Sequence, residues 1–204
     1  MVLVFMAAAL ALNLTPGPDM LYVTARSVSD GRAAGVVSAF GIAAGTLVHI
    51  TALALGLAAL LAAVPLAYDV VRIAGAVYLV VIGLQLILRP RTAGDIEKLP
   101  RSRLRLIFAQ AVVTNVLNPK VALFFLAFLP QFVDPAAGAP VPQIVFLGLA
   151  FNIQGTLVNV AVALLASRTT HWLRANERRV SLLQRLTGAL FVALGARLAL
   201  GGNR

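Results

Sequence analysis

The sequence contains no cysteine, so disulfides and thiolate metal sites are excluded and the redox compartment leaves no trace. Its two histidines, His49 and His171, lie in different surroundings and make no zinc site alone. Charge is scarce as well: 12% of residues are Asp, Glu, Lys or Arg, about half the share usual in a soluble domain. There is no nucleophile elbow, no HExxH and no phosphate-binding loop, so nothing announces an enzyme or a nucleotide-driven pump. No cofactor and no metal are called for. The opening run MVLVFMAAALAL has no basic flank before its apolar core and reads as a mature helix rather than a signal peptide.

What the chain has in plenty is apolar length. Mean hydropathy is +0.93, and runs near the ~20 residues that cross a bilayer core recur from end to end. Six segments emerge: about Val2 to the mid-twenties, Ala33 to Val64, Asp69 to Leu88, Leu104 to Leu129, Val141 to Ala166 and Leu186 to Leu200. The expectation is an all-α integral membrane protein, a single transmembrane domain over residues 1–204 whose solvent is the lipid bilayer. Helices satisfy their own backbone in lipid, which irregular segments facing lipid do not.

The basic residues orient the segments. Arg26 and Arg32 follow the first; Arg89, Arg91, Lys98, Arg101, Arg103 and Arg105 follow the third; Arg168, Arg174, Arg178, Arg179 and Arg185 follow the fifth. Those thirteen of the seventeen basic residues share one side, and the opposite loops hold only Arg72. The excess of positive charge on cytoplasmic loops then puts both termini outside the cytoplasm, with Trp172 and His171 at the inner interface. The net charge of +10 reads as attraction to an anionic leaflet, not to nucleic acid.

The chain also repeats itself at an offset of roughly 102 to 113 residues. GTLVHITALAL from Gly45 matches GTLVNVAVALL from Gly155. RIAGAVYL from Arg72 matches RLTGALFV from Arg185. NLTPGPDM from Asn13 matches NVLNPKVA from Asn115. Two three-helix halves result, residues 1–98 and 99–204, and an odd number of helices per half makes the second half inverted. Inverted repeats with broken helices place a transporter's site near the midplane. Pro16, Pro18 and Pro119 break helices 1 and 4 by removing backbone donors. Freed helix N-termini suit carboxylates and freed carbonyls suit ammonium groups; a zwitterionic amino acid carries both.

At TPGPD in the first segment and TNVLNPKVALFFLAFLPQF in the fourth, the sequence resembles the LysE/RhtB family of bacterial amino-acid exporters. GRAAGVVSAFGIAAGTLVH and RIAGAVYLVVIGLQLI extend the likeness over nearly the whole chain. The resemblance implies efflux of an amino acid or close derivative across the cytoplasmic membrane, driven by an ion gradient, with protons the first candidate. It carries the break motifs onto Pro16, Gly17, Pro18 and onto Asn118, Pro119, Lys120. Which amino acid is exported does not follow.

Ionisable groups at membrane depth default to functional hypotheses. Asp19 is the acidic residue well inside an apolar segment and Lys120 the basic one. Matching Pro18 to Pro119 puts them at equivalent positions, so they are expected to pair or to share a cavity, serving a proton, an ammonium or a carboxylate. Asn13, Thr15 and Asn115 flank the breaks. His49 is matched in the repeat by Asn159. Asn152, Thr156 and Asn159 share one helix face, and Gln110, Thr114 and Asn118 form a row on another; such stripes either line a passage or join helices. Arg197 lies near the outer end of the last helix. Small-residue faces leave room for a homodimer. The competing readings are another small solute or cation carried by the same fold, and an intramembrane enzyme built on His49 with Asp19.

Overall fold

The computed structural model describes residues 2–63, 101–165 and 177–200, with helical pieces at 73, 76–77, 80–81 and 83–88. Among these residues the α-helices longer than one turn are α1 (Val2–Leu14), α2 (Pro18–Asp30), α3 (Arg32–Ala63), α4 (Leu104–Val116), α5 (Pro119–Leu123), α6 (Pro140–Leu164) and α7 (Glu177–Leu200), and no strand occurs. α3 and α6 are each long and apolar enough to cross a membrane. α1 with α2, and α4 with the run from Pro119 to Phe132, pass the same test as single spans bent by 47° and 46°.

The bends sit where the prolines are. Pro16 and Pro18 have no N–H to offer the carbonyls of Leu12 and Leu14, four residues back. α1 therefore ends on Thr15, whose N–H is shared between Ala11 O at 3.1 Å and Leu12 O at 3.2 Å. Gly17, in extended conformation, caps α2, and Pro18 occupies the first turn, where no donor is missed. The second break repeats this plan. Asn118 caps α5, its side chain accepting from Lys120 N, and Pro119 opens the helix. Asp19 and Lys120 both follow the opening proline.

Beyond α5 the chain widens into a π turn at Phe124–Phe128 and tightens into a 3-10 turn at Leu129–Phe132. The widened register directs Phe124 and Phe128 onto Phe5 of α1, with ring centres 5.7 and 6.0 Å away. Phe125 turns to Phe151 of α6 at 5.3 Å and to His49 of α3 at 5.9 Å. This aromatic core ties both broken spans to α3 and α6. On its other side α3 meets α4 backbone to backbone. A Cβ on Gly41 would lie 2.6 Å from Ala111 Cβ and from Phe108 O, and one on Gly45 would lie 2.8 Å from Asn115 Cβ. Small residues four apart permit that approach.

Two boundaries differ from expectation. The last helix begins at Glu177, not Leu186. Its charged first turns are helical because Gln184, Thr187 and Phe191 fall on one buried face while Arg178 and Arg185 point outward. Arg26 lies within α2 rather than in the connection after it, and its side chain is 4% exposed. Of the expected third helix, residues 69–72, 74–75, 78–79 and 82 fall outside the described residues, and its described residues are helical. Arg72, His171 and Trp172 are outside them too.

Candidate functional site

The two breaks cross, and each sends the side chain after its proline to the other. Lys120 reaches from the start of α5 to the open end of α1, where its Nζ donates to Leu12 O and Thr15 O, both at 2.9 Å. These are carbonyls the proline break leaves poorly served, at the negative end of a helix dipole, where a cation is favoured. Gly17 makes the approach possible, since a Cβ there would lie 3.1 Å from Lys120 Nζ and 3.4 Å from its Cε. In the opposite direction, Asp19 in the first turn of α2 meets the end of α4. Its Oδ2 accepts from Asn115 Nδ2 at 2.8 Å. Asp19 and Lys120 thus take different partners at one crossing, where Lys120 and His49 are basic groups close enough to act on the carboxylate.

Asn115 is the hub. It is 1% exposed. Besides Asp19, it offers Oδ1 to Thr46 Oγ1 at 3.4 Å and its carbonyl to His49 Nε2 at 3.1 Å. A carbonyl only accepts, so that bond requires the His49 tautomer with hydrogen on Nε2. Asn13, its counterpart in the repeat, donates to Gln154 Oε1 at 3.4 Å and packs on Gly155, where a Cβ would lie 3.0 Å from Asn13 Oδ1. Gly45 lies against Asn115 as Gly155 lies against Asn13. Thr15, fully buried, meets Thr187 of α7 through a 2.7 Å hydroxyl contact.

Between these groups is a small cavity of about 20 Å³ of mixed lining, with Asn13, Asp19, Asn115 and Asn159 among its polar groups and Ile42, Val121 and Phe151 among its apolar ones. Such a space holds a water but no amino acid, so the site is closed in this state. Two polar atoms at the crossing, Asp19 Oδ1 and Asn118 Nδ2, are buried and close no hydrogen bond among the described residues, although the Asn118 amide lies near enough to act on the carboxylate. Unsatisfied buried polar atoms are costly and call for an explanation.

The row Gln110, Thr114, Asn118 divides instead of lining one passage. Asn118 stays at the break, and Thr114 Oγ1 returns to Gln110 O at 2.8 Å. Gln110 belongs to a separate cluster toward the Arg32 end, which the sequence reading missed. Arg26 donates to Gln110 Oε1 at 2.7 Å, to Asp30 Oδ2 at 3.1 Å and to the Tyr22 hydroxyl at 3.2 Å. Asp30 Oδ1 accepts from Ser102 N at 3.2 Å, which pins the start of α4. The four-residue spacing of Arg26 and Asp30 was the available signal. Among the described residues no cluster of three or more His, Cys, Asp or Glu side chains is placed to hold a metal.

The family model described as LysE type translocator matches residues 10–202. A homoserine/homoserine lactone efflux protein of Salmonella typhimurium is 30% identical over 198 residues, covering 96% of this chain and 94% of that protein. The protein of the same description from Salmonella typhi is 29% identical over the same shares. An uncharacterized membrane protein of Pseudomonas aeruginosa is 33% identical over 201 residues, 91% of this chain and 88% of the other. No solved structure matches.

Proposed function

The chain belongs to the LysE type translocator family, and from that premise we propose that it exports homoserine-like amino acids and their uncharged-carboxyl derivatives across the bacterial cytoplasmic membrane. Membership makes it a translocator and removes the intramembrane enzyme as a competing reading. The observation that carries the proposal is the buried Asp19 carboxylate, with one oxygen closing no hydrogen bond, lining a small cavity at the crossing of two broken helices. Two relatives are described as acting on homoserine and its lactone. A lactone has no free carboxylate, so the charged group the two molecules share is the ammonium. One buried acid with an open oxygen fits that shared group.

The mechanism is secondary and alternating: the crossing opens to one face at a time, and a proton gradient drives it through Asp19, with His49 as the neighbouring titratable group. The matched contacts Gly45–Asn115 and Gly155–Asn13 support a two-fold relation between halves, as do the matched bends. Six spans in two inverted halves, with both termini outside, complete the proposal.

The test uses purified protein in sealed proteoliposomes loaded with labelled homoserine, homoserine lactone or threonine, with and without an imposed pH gradient. Gradient-accelerated efflux of homoserine and its lactone is expected. Efflux of neither by folded protein refutes the substrate, and efflux indifferent to the gradient refutes proton coupling.

A further inference from the structure

The open end of α1 already holds an ammonium. Leu12 O lacks its proper donor because residue 16 is proline, and it receives only the 3.2 Å bond from Thr15 N. Thr15 O sits at the break, before α2 begins at Pro18. Both carbonyls accept from Lys120 Nζ at 2.9 Å. The Lys120 stem lies flat on Gly17, so the ammonium stands directly over the break. Asp19, whose Oδ1 closes no hydrogen bond, stands at the same crossing. The two carbonyls answer two of the three N–H donors of a primary ammonium, and the nearby Asp19 carboxylate supplies the opposite charge.

We propose that the Leu12 and Thr15 carbonyls, with Asp19 beside them, form the seat of the cargo's ammonium, and that Lys120 fills this seat in the closed state and yields it when cargo arrives. The proposal rests on the export reading above and names the atoms of its site. Lys120 is then a tethered stand-in for the cargo. It keeps the carbonyls of α1 satisfied while no substrate is bound, and Asp19 joins this seat to the small cavity that it lines. A buried carbonyl pair left empty in an apolar surrounding is costly, so seat and plug keep the empty protein closed.

Amine-selective labelling of the wild-type protein in detergent, read by mass spectrometry at Lys120 relative to Lys98, tests this directly. The probes are ethylammonium, homoserine, homoserine lactone and tetraethylammonium. Ethylammonium and the lactone are expected to raise Lys120 labelling several-fold and saturably, because each offers N–H donors to the seat. Tetraethylammonium has none and is expected to do nothing. Unchanged labelling overturns the proposal. So does protection of Lys120 by homoserine but not by the lactone, which assigns Lys120 to the cargo's carboxylate instead.

A second measurement reads the empty seat. Lys120→Met keeps the stem and removes the charge, and should lower the melting temperature by about 5 °C, with recovery in ethylammonium but not in equal sodium or tetraethylammonium. A variant that melts like wild type, or recovers equally in all three salts, refutes a specific ammonium seat. Export failing while labelling responds to ethylammonium keeps the seat and sinks the transport reading. Export succeeding while labelling stays flat does the reverse.

Discussion

Asp19 is held where a carboxylate is hardest to explain as structure alone. One oxygen takes the Asn115 amide, and the other closes no hydrogen bond, with the Asn118 amide beside it. A group serving only to join helices gains nothing from an open lone pair in a buried place. Asp19→Asn keeps the size and loses the charge. Its expected result is normal membrane yield with efflux of homoserine and its lactone reduced about 100-fold or more, the effect of losing a buried charge partner worth at least ~3 kcal/mol. Wild-type, gradient-dependent efflux by that variant would remove the acid from the mechanism. Gly45 offers a contrast at the same scale. Its role is space: a methyl there would lie 2.8 Å from Asn115 Cβ and Oδ1 and 2.9 Å from Val112 O. The last contact is backbone and has little freedom to yield. Gly45→Ala should cost about 1–3 kcal/mol by overpacking, seen as a lower melting temperature in detergent. An unchanged melt would show that α3 and α4 slide apart freely.

At the scale of elements, the broken helices were legible because proline acts on its own chain, without tertiary help. Pro16 and Pro18, and Asn118 with Pro119, end and restart helices where the sequence places the breaks. The bounds of α3 and α6 were readable for the same local reason, since long apolar runs have few alternatives. The partners of the polar side chains were not readable. Nothing in the sequence says that Lys120 chooses two carbonyls or that Gln110 turns to Arg26, because such choices depend on which helices cross. Arg26 read as a loop charge for want of that knowledge. In the structure it links α2 to α4 and pairs with Asp30, their side chains 4% and 8% exposed. Removing one partner of a buried pair costs about 3–5 kcal/mol, mostly from the charge left behind. Arg26→Gln is therefore expected to lower extraction yield and melting temperature, and Arg26→Gln with Asp30→Asn to recover most of the loss. If the double variant is no better than the single one, Arg26 works through Gln110 and Tyr22, and Asp30 is incidental.

At the scale of the whole molecule, the proposed inversion is tied to the distribution of charge. The connection that ends with Arg101, Arg103 and Arg105 is among the richest in positive charge, while the turn around Pro135–Ala137 carries Asp134 and no basic residue. In the proposed inverted repeat the first faces the cytoplasm, the two breaks belong to oppositely directed spans, and their crossing is open to approach from either side. That equivalence is what alternating access requires: a site reached from either face by a motion that exchanges the conformations of two similar halves. The absence of cysteine makes orientation directly measurable. Arg101→Cys and Ala137→Cys, both at exposed positions, each give a protein with one thiol. In intact cells a membrane-impermeant maleimide should label Ala137→Cys and leave Arg101→Cys untouched until the membrane is permeabilised. The reverse pattern turns the molecule over and places both termini inside. Labelling of both in intact cells would mean that the spans between them do not number as the inverted repeat requires, and the crossing would lose its two-fold meaning.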